Sequence, residues 1–228
     1  MLVQVKPPHH PLHHGSVAII GAGIGGLTLA NALLYKNRRN NKNSVHHDGT
    51  NLYDPPQLNR ITLYERAKHF VPTAGAGFGL SPNGQVCLSS IGLSTHNILH
   101  PLERMIRMDS NGVNIKSESN IFQQLHDEIG FTVGGCLRAD LIDLLTKSFT
   151  TTTTTTSTMT QNNDVSCTKS ELKCEHDLKR ITPVLDKVEL EFSNGVEDVV
   201  DLVVGMYEQP LVLCVLMRGM LFFSYLSN

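Results

Sequence analysis

The sequence predicts an α/β fold, and three observations carry the prediction. Residues 17–20, VAII, are apolar and stop abruptly at a glycine. The glycine-rich GAGIGG, 21–26, then leads into LTLANALLY, whose apolar positions recur at helical spacing. Beyond a polar stretch, ITLYER, 61–66, returns to strand character. A buried strand, a tight turn, a helix and a second strand are the units from which a parallel sheet with helical crossovers is built.

Length and composition set the outer bounds. A chain of 228 residues holds one sizeable domain, or one and part of another. Apolar residues make up 40% and charged residues 18%, with a net charge of −2, so overall charge points to no nucleic-acid partner. Cys87, Cys136, Cys167, Cys174 and Cys214 form no C-x-x-C pair, and the N-terminus lacks the charged-then-apolar order of a secretory signal. Reduced thiols in an intracellular, cytoplasmic protein are the expectation. HHPLHH, 9–14, lacks regular ligand spacing and is read as part of a disordered tail over 1–15, so no metal site is assigned.

The elements follow in order. After the strand at 17–20, Ile24, Leu27 and Ala30 set one apolar face of a helix reaching to about Tyr35. Residues 37–60, rich in asparagine and charge with a Pro-Pro step, read as a polar surface insertion before the strand at 61–66. Ser81 followed by Pro82, with a stop at Gly92, predicts a helix that buries Val86 and Ile91. Asn111-Gly112 between two short alternating segments predicts a hairpin over 104–116, which opens a small sheet within 100–135. In RADLIDLLTKSF, 138–149, Leu141, Leu144, Leu145 and Phe149 share a helical face opposite Asp140, Asp143 and Lys147.

The run from Thr150 to Thr156 opens a low-complexity loop over 151–187, because so little apolar surface cannot offset the entropy of ordering. VELEF, SNG and DVVDLVV then predict returning strands over 188–205. The tail 206–228 is strongly apolar. Its run from Leu211 to Leu226 is short for a bilayer and carries Arg218, so membrane association is the minor reading.

The glycine loop carries the chemistry. Gly21, Gly23 and Gly26 satisfy G-x-G-x-x-G: the first permits the tight turn, the second lets a pyrophosphate approach the backbone, and the third packs helix on strand. The helix start adds free amides and a positive dipole end. Such a site also needs an acid at the end of the second strand for the ribose hydroxyls. Glu65 stands there, displaced along the sequence by the 37–60 insertion, which a surface loop tolerates at little entropic cost.

These residues resemble the FAD-dependent monooxygenases, the family of aromatic-ring hydroxylases such as salicylate hydroxylase and of zeaxanthin epoxidase. VAIIGAGIGGLTLANAL is similar to that family's first strand, loop and helix, and LYER to its second strand end. GAGFGLSPNGQVCLSSIGL, 75–93, resembles the segment that passes the flavin, and CLRADLIDLL, 136–145, the arginine-led helix. The resemblance implies a Rossmann-like FAD-binding domain over 16–150, with 188–205 returning to it and the start of a substrate-side sheet. It implies FAD contacts from Gly21, Gly23, Gly26, Glu65, Arg66, Ala76, Gly77 and Arg138, NAD(P)H as electron donor, and a small organic substrate, aromatic or isoprenoid, that is hydroxylated or epoxidised with O2. A guanidinium such as that of Arg138 suits pyrophosphate oxygens, which it can pair through two parallel hydrogen bonds.

The likeness stops at Gly205. Where the family continues into Ala-Asp-Gly, this sequence has Met206, Tyr207 and Glu208, and the family's later Gly-Asp motif has no counterpart. The expectation is therefore a truncated chain of doubtful turnover, with no catalytic residue assigned. Two other readings share the glycine loop: an NAD(P)-dependent dehydrogenase, and a noncatalytic nucleotide-binding or membrane-associated fragment.

Overall fold

The computed structural model describes residues 15–43, 57–69, 76–103, 105–112, 115–154, 168–207, 212–217 and 220–225. The chain divides into two compact units, one made of Met1–His69 with Phe149–Asn228 and the other of Phe70–Ser148. The α/β expectation holds.

The first unit is built on strand β1 (Gly15–Ile20), helix α1 (Ile24–Asn43) and strand β2 (Leu58–Tyr64), the crossover read from the sequence. Strands β8 (Lys169–Lys173) and β12 (Leu202–Tyr207) complete a parallel sheet in the order β12-β1-β2-β8. Counted along the chain this order is fourth, first, second, third, so the strand order reverses between β1 and β12. In open α/β sheets ligands bind outside the carboxyl ends of the strands at such a reversal.

Each face of the sheet has its own cover. Register places Val17 and Ile19 beside Ile61 and Leu63 on one face, where α1 packs through Leu27, Ala30 and Leu34. On the other face Ala18, Tyr64 and Val203 meet Val188, Leu190, Phe192 and Val200 in one buried cluster. Those residues come from a three-stranded antiparallel meander, β9 (Leu178–Val184), β10 (Lys187–Phe192) and β11 (Glu197–Val200).

Polar contacts fasten the meander to the sheet. Arg60 pairs both carboxylate oxygens of Asp198 at 2.8 and 3.0 Å, and the Tyr64 hydroxyl donates to the same carboxylate. Burial first, then the Asp198 bond and charge, drive the Tyr64 phenol far above its ordinary range, so it remains a donor. Lys187 and Ser16 both donate to Asp201, the serine through its hydroxyl and its backbone N–H.

In the second unit, β3 (Gly77–Leu80), β7 (Gly134–Leu137) and β4 (His100–Pro101) form a small antiparallel sheet in the order β3-β7-β4. Helix α2 (Pro82–Ser90) follows β3, and α3 (Ile121–Ile129) precedes β7. Among the described residues strands β5 (Met105–Met108) and β6 (Ile115–Ser119) pair only with each other, so 100–135 contains parts of two small sheets. The Asn111-Gly112 turn is where the sequence put it, with Gly112 at φ +71°. Helix α4 (Arg138–Thr154) crosses the boundary between the units and buries Leu141, Leu145 and Phe149 as expected.

Several sequence expectations need correction. Helix α1 runs to Asn43 and absorbs the start of the 37–60 insertion, because no glycine or proline interrupts it before Gly49. Asn37 is buried there and trades hydrogen bonds with the Leu58 backbone, 2.8 Å to its carbonyl and 3.0 Å from its N–H. Helix α4 likewise extends through Thr154, since prolonging a formed helix is easier than nucleating one. In α2 the buried positions are Gln85 and Leu88, while Val86 is exposed. The 151–187 stretch contains all of β8 and β9, whose charged alternation acquires strand form through pairing with β2 and β10.

The apolar stretch beyond Gly205, where the family likeness stops, contributes two strands to the described structure. Strands β13 (Val212–Met217) and β14 (Met220–Tyr225) pair antiparallel next to β12 and extend the sheet to six strands. Among the described residues no helix is long and apolar enough to cross a membrane. Of the tail expected over 1–15, Gly15 opens β1 and residues 1–14 lie outside the described residues, as do the insertion's 44–56 and the threonine-rich 155–167.

Candidate functional site

The glycine loop leaves the sheet at the carboxyl end of β1, where Ile20 pairs with Tyr64 of β2 and Gly205 of β12. Gly21 turns the chain at φ +101°, a region only glycine enters freely, and its N–H donates to the Tyr64 carbonyl at 2.8 Å. Gly26 has no room for a side chain: a Cβ there would lie 1.9 Å from the Gly21 carbonyl oxygen. Gly23 is the opposite case, with nothing within 4 Å of where its Cβ would be. The third glycine thus closes helix on loop, and the second faces free space at the helix start, where the first amides have no acceptor within the helix.

Glu65 stands beside this loop. One carboxylate oxygen accepts the Ala22 N–H at 2.9 Å and the other accepts the Ala67 N–H at 2.9 Å. Each oxygen retains capacity for a further donor. The neighbouring strand end locks the acid in place, because the Glu65 N–H donates to the Lys173 carbonyl and its carbonyl accepts from His176 N–H, both at 2.9 Å. Cys174 lies in this segment; burial first, then the charges of Glu65 and Glu175, push its thiol up and keep it neutral. Arg66 is exposed and makes no hydrogen bond among the described residues.

In the second unit, Ala76, Gly77 and Arg138 come together. Gly77 pairs with Leu137 across β3 and β7, and the Arg138 N–H points to the Ala76 carbonyl at 3.4 Å. Arg138 is half-buried at the start of α4, and its guanidinium forms no ion pair among the described residues. Cationic side chains are unfavourable at a helix N-terminus, where an anion is welcome. Burial first, then the charge of Asp140, raise the adjoining Cys136 thiol.

The structure therefore assembles the predicted residues in two groups: Gly21, Gly23, Gly26 and Glu65 in the first unit, and Ala76, Gly77 and Arg138 in the second. The backbone acceptors and donors that hold Glu65 were not legible, since β8 was not foreseen. No group of three or more His, Cys, Asp or Glu suited to a metal occurs among the described residues.

Comparison with known proteins finds one curated relative and several similar folds. The chain is 28% identical over 199 residues to an FAD-dependent monooxygenase, pigN, of Monascus ruber, covering 83% of this chain and 36% of that protein. Its fold is similar to that of a variant of Klebsiella pneumoniae HpxO, solved with FAD, at TM-score 0.57 and 20% identity over 83% of this chain and 39% of that one. It is equally similar to p-nitrophenol 4-monooxygenase PnpA from Pseudomonas putida DLL-E4, at TM-score 0.57 and 13% identity over 85% and 41%. No family model matches the chain. The resemblance read from the sequence is thus borne out, and the chain spans well under half the length of these relatives.

Proposed function

We propose that this chain holds FAD through the β1-loop-α1-β2 crossover, as the cofactor-binding part of a flavoprotein monooxygenase. The observation that carries the reading is the contrast at the loop: no space for a Cβ at Gly26, open space at Gly23, and the Glu65 carboxylate tethered 2.9 Å from the Ala22 amide. The Gly23 backbone and the first amides of α1 would receive the pyrophosphate, and Glu65 would accept the adenosine ribose hydroxyls. Arg66 adds positive charge beside Glu65. For Ala76, Gly77 and Arg138, in the second unit, cofactor contact is supported by the resemblance to the family and by the fit of a guanidinium to phosphate oxygens.

When bound, FAD supplies hydride acceptance from NAD(P)H and the activation of oxygen. The chain's own part is to bind and orient the cofactor. The complete protein then hydroxylates or epoxidises a small organic molecule, a reading supported by the names of the relatives. The three free thiols described, Cys87, Cys136 and Cys174, support an intracellular setting.

Expression of the chain and passage through a sizing column tests this. Yellow flavin should co-elute with folded protein, and heating should release FAD. NADPH oxidation without added substrate domain is not required. A folded peak that never takes up flavin, even after incubation with FAD, would count against the proposal.

A further inference from the structure

The backbone of Glu65 is held by the short turn that follows β8. Its N–H donates to the Lys173 carbonyl and its carbonyl accepts the His176 N–H, both at 2.9 Å, while the Glu175 N–H donates to the Ala67 carbonyl at 3.1 Å. Residues 173–176 therefore grip both sides of the acid whose carboxylate accepts from Ala22 and Ala67. The turn does not take this shape unaided. Glu175 sits at φ +59°, a left-handed conformation that a residue with a side chain keeps only where its surroundings enforce it.

The His176 ring supplies that enforcement. Its Nδ1 lies 2.6 Å from the Cys174 carbonyl, and since a carbonyl oxygen only accepts, Nδ1 carries the proton and donates. That bond closes the turn across Glu175. The half-buried ring is itself oriented by packing, with its centroid 5.4 Å from that of Tyr64 and 5.2 Å, edge-on, from that of Phe192. From the meander, Asn194 Nδ2 donates to the Glu175 carbonyl at 2.9 Å and the Ser193 N–H to the Asp177 carbonyl at 2.8 Å. One imidazole thus joins the packed core to the turn, and the turn joins Glu65.

We propose that His176 is the positioning residue for Glu65. Its Nδ1–H bond to Cys174 holds the turn through Glu175, and the turn holds the carboxylate against the glycine loop, ready for the adenosine ribose. The ribose part of this inference rests on the FAD reading above; the placement of the carboxylate does not.

Amide hydrogen exchange on the full, ligand-free chain tests the placement. His176→Phe keeps an aromatic ring beside Tyr64 and Phe192 but cannot donate, whereas His176→Asn sets an amide nitrogen where Nδ1 stands. In His176→Phe the Ala22 and Ala67 amides should exchange about tenfold faster, the worth of one weakened hydrogen bond, while the amides of β1 keep their rates. His176→Asn should restore the protection. His176→Gln, whose amide nitrogen falls at the Nε2 position instead, should behave as His176→Phe does and replaces it if that variant does not fold. Nucleotide titration then reads the ribose contact. The parent should bind ADP about tenfold more tightly than 2′,3′-dideoxy-ADP, the worth of a hydrogen bond to a charged group. That preference should vanish in His176→Phe and persist in His176→Asn; a general loss of stability would weaken both nucleotides alike and leave the ratio unchanged. The proposal is overturned if a folded His176→Phe or His176→Gln chain protects Ala22 and Ala67 as the parent does, if its nucleotide preference equals the parent's, or if His176→Asn fails to restore protection. A parent that binds neither nucleotide would refute the FAD reading alone, and the exchange rates would still decide the role of His176.

Discussion

Replacing Gly26 with alanine should break the loop from within. The added Cβ would sit 1.9 Å from the Gly21 carbonyl oxygen, 3.1 Å from its carbon and 3.4 Å from Ile19 Cγ2. Ordinary contact begins near 3.4 Å, so helix and loop must separate by about 1.5 Å (3.4 − 1.9), and the obstructing atoms are backbone that cannot rotate away. Overpacking of this kind costs roughly 1–3 kcal/mol. The shift also strains the Gly21 N–H bond to Tyr64 and the Ala22 N–H bond to Glu65, of which the second involves a charge and is worth about 1.5–3 kcal/mol. A loss of about 3–5 kcal/mol follows, which in a chain of this size lowers the melting temperature by roughly 10–15 °C. Thermal unfolding followed by circular dichroism gives the shift, and hydrogen exchange at the Gly21 and Ala22 amides locates it. A variant that melts within about 2 °C of the parent, with both amides equally protected, would refute the packing argument.

Gly23→Ala should behave in the contrary way, keeping stability within about 0.5 kcal/mol, since nothing lies within 4 Å of the new methyl, yet weakening FAD by roughly 100-fold by filling the phosphate approach. Calorimetry on parent and variant checks both numbers. Asp201→Asn should cost about 2 kcal/mol at neutral pH and progressively less in acid. Burial opposes the Asp201 charge, but hydrogen bonds from Lys187 and Ser16 outweigh it and hold the carboxyl below its ordinary 3.8. Its contribution is therefore present above pH 3.8 and is lost as pH falls through the lowered folded value, which denaturant melts carried from neutral pH down to about pH 2 would resolve.

The crossover was legible because its physics is local. Four apolar residues, a glycine turn and a helical apolar stripe specify strand, loop and helix without help from distant chain, and Glu65 was found by its place at a strand end. The hairpin at Asn111-Gly112 and the face of α4 were legible for the same reason. What stayed hidden depends on partners far along the sequence. KSELK and LKRITPV show too weak an alternation to announce β8 and β9; pairing with β2 and β10 makes them strands. The two carboxylates that fasten the meander, Asp198 and Asp201, find Arg60 and Ser16 across more than a hundred residues. The apolar 206–228 stretch resembled no known segment, yet an unpaired edge at β12 is what β13 covers.

The central claim is that the loop and Glu65 recognise the adenosine diphosphate half of FAD. Calorimetric titration of the flavin-free chain with FAD, ADP and FMN tests it most directly. FAD should saturate one site, ADP should compete with it, and FMN, which lacks the adenosine and pyrophosphate, should not bind there. Equal binding of FMN and FAD, or binding of FAD that ADP cannot displace, would contradict the account.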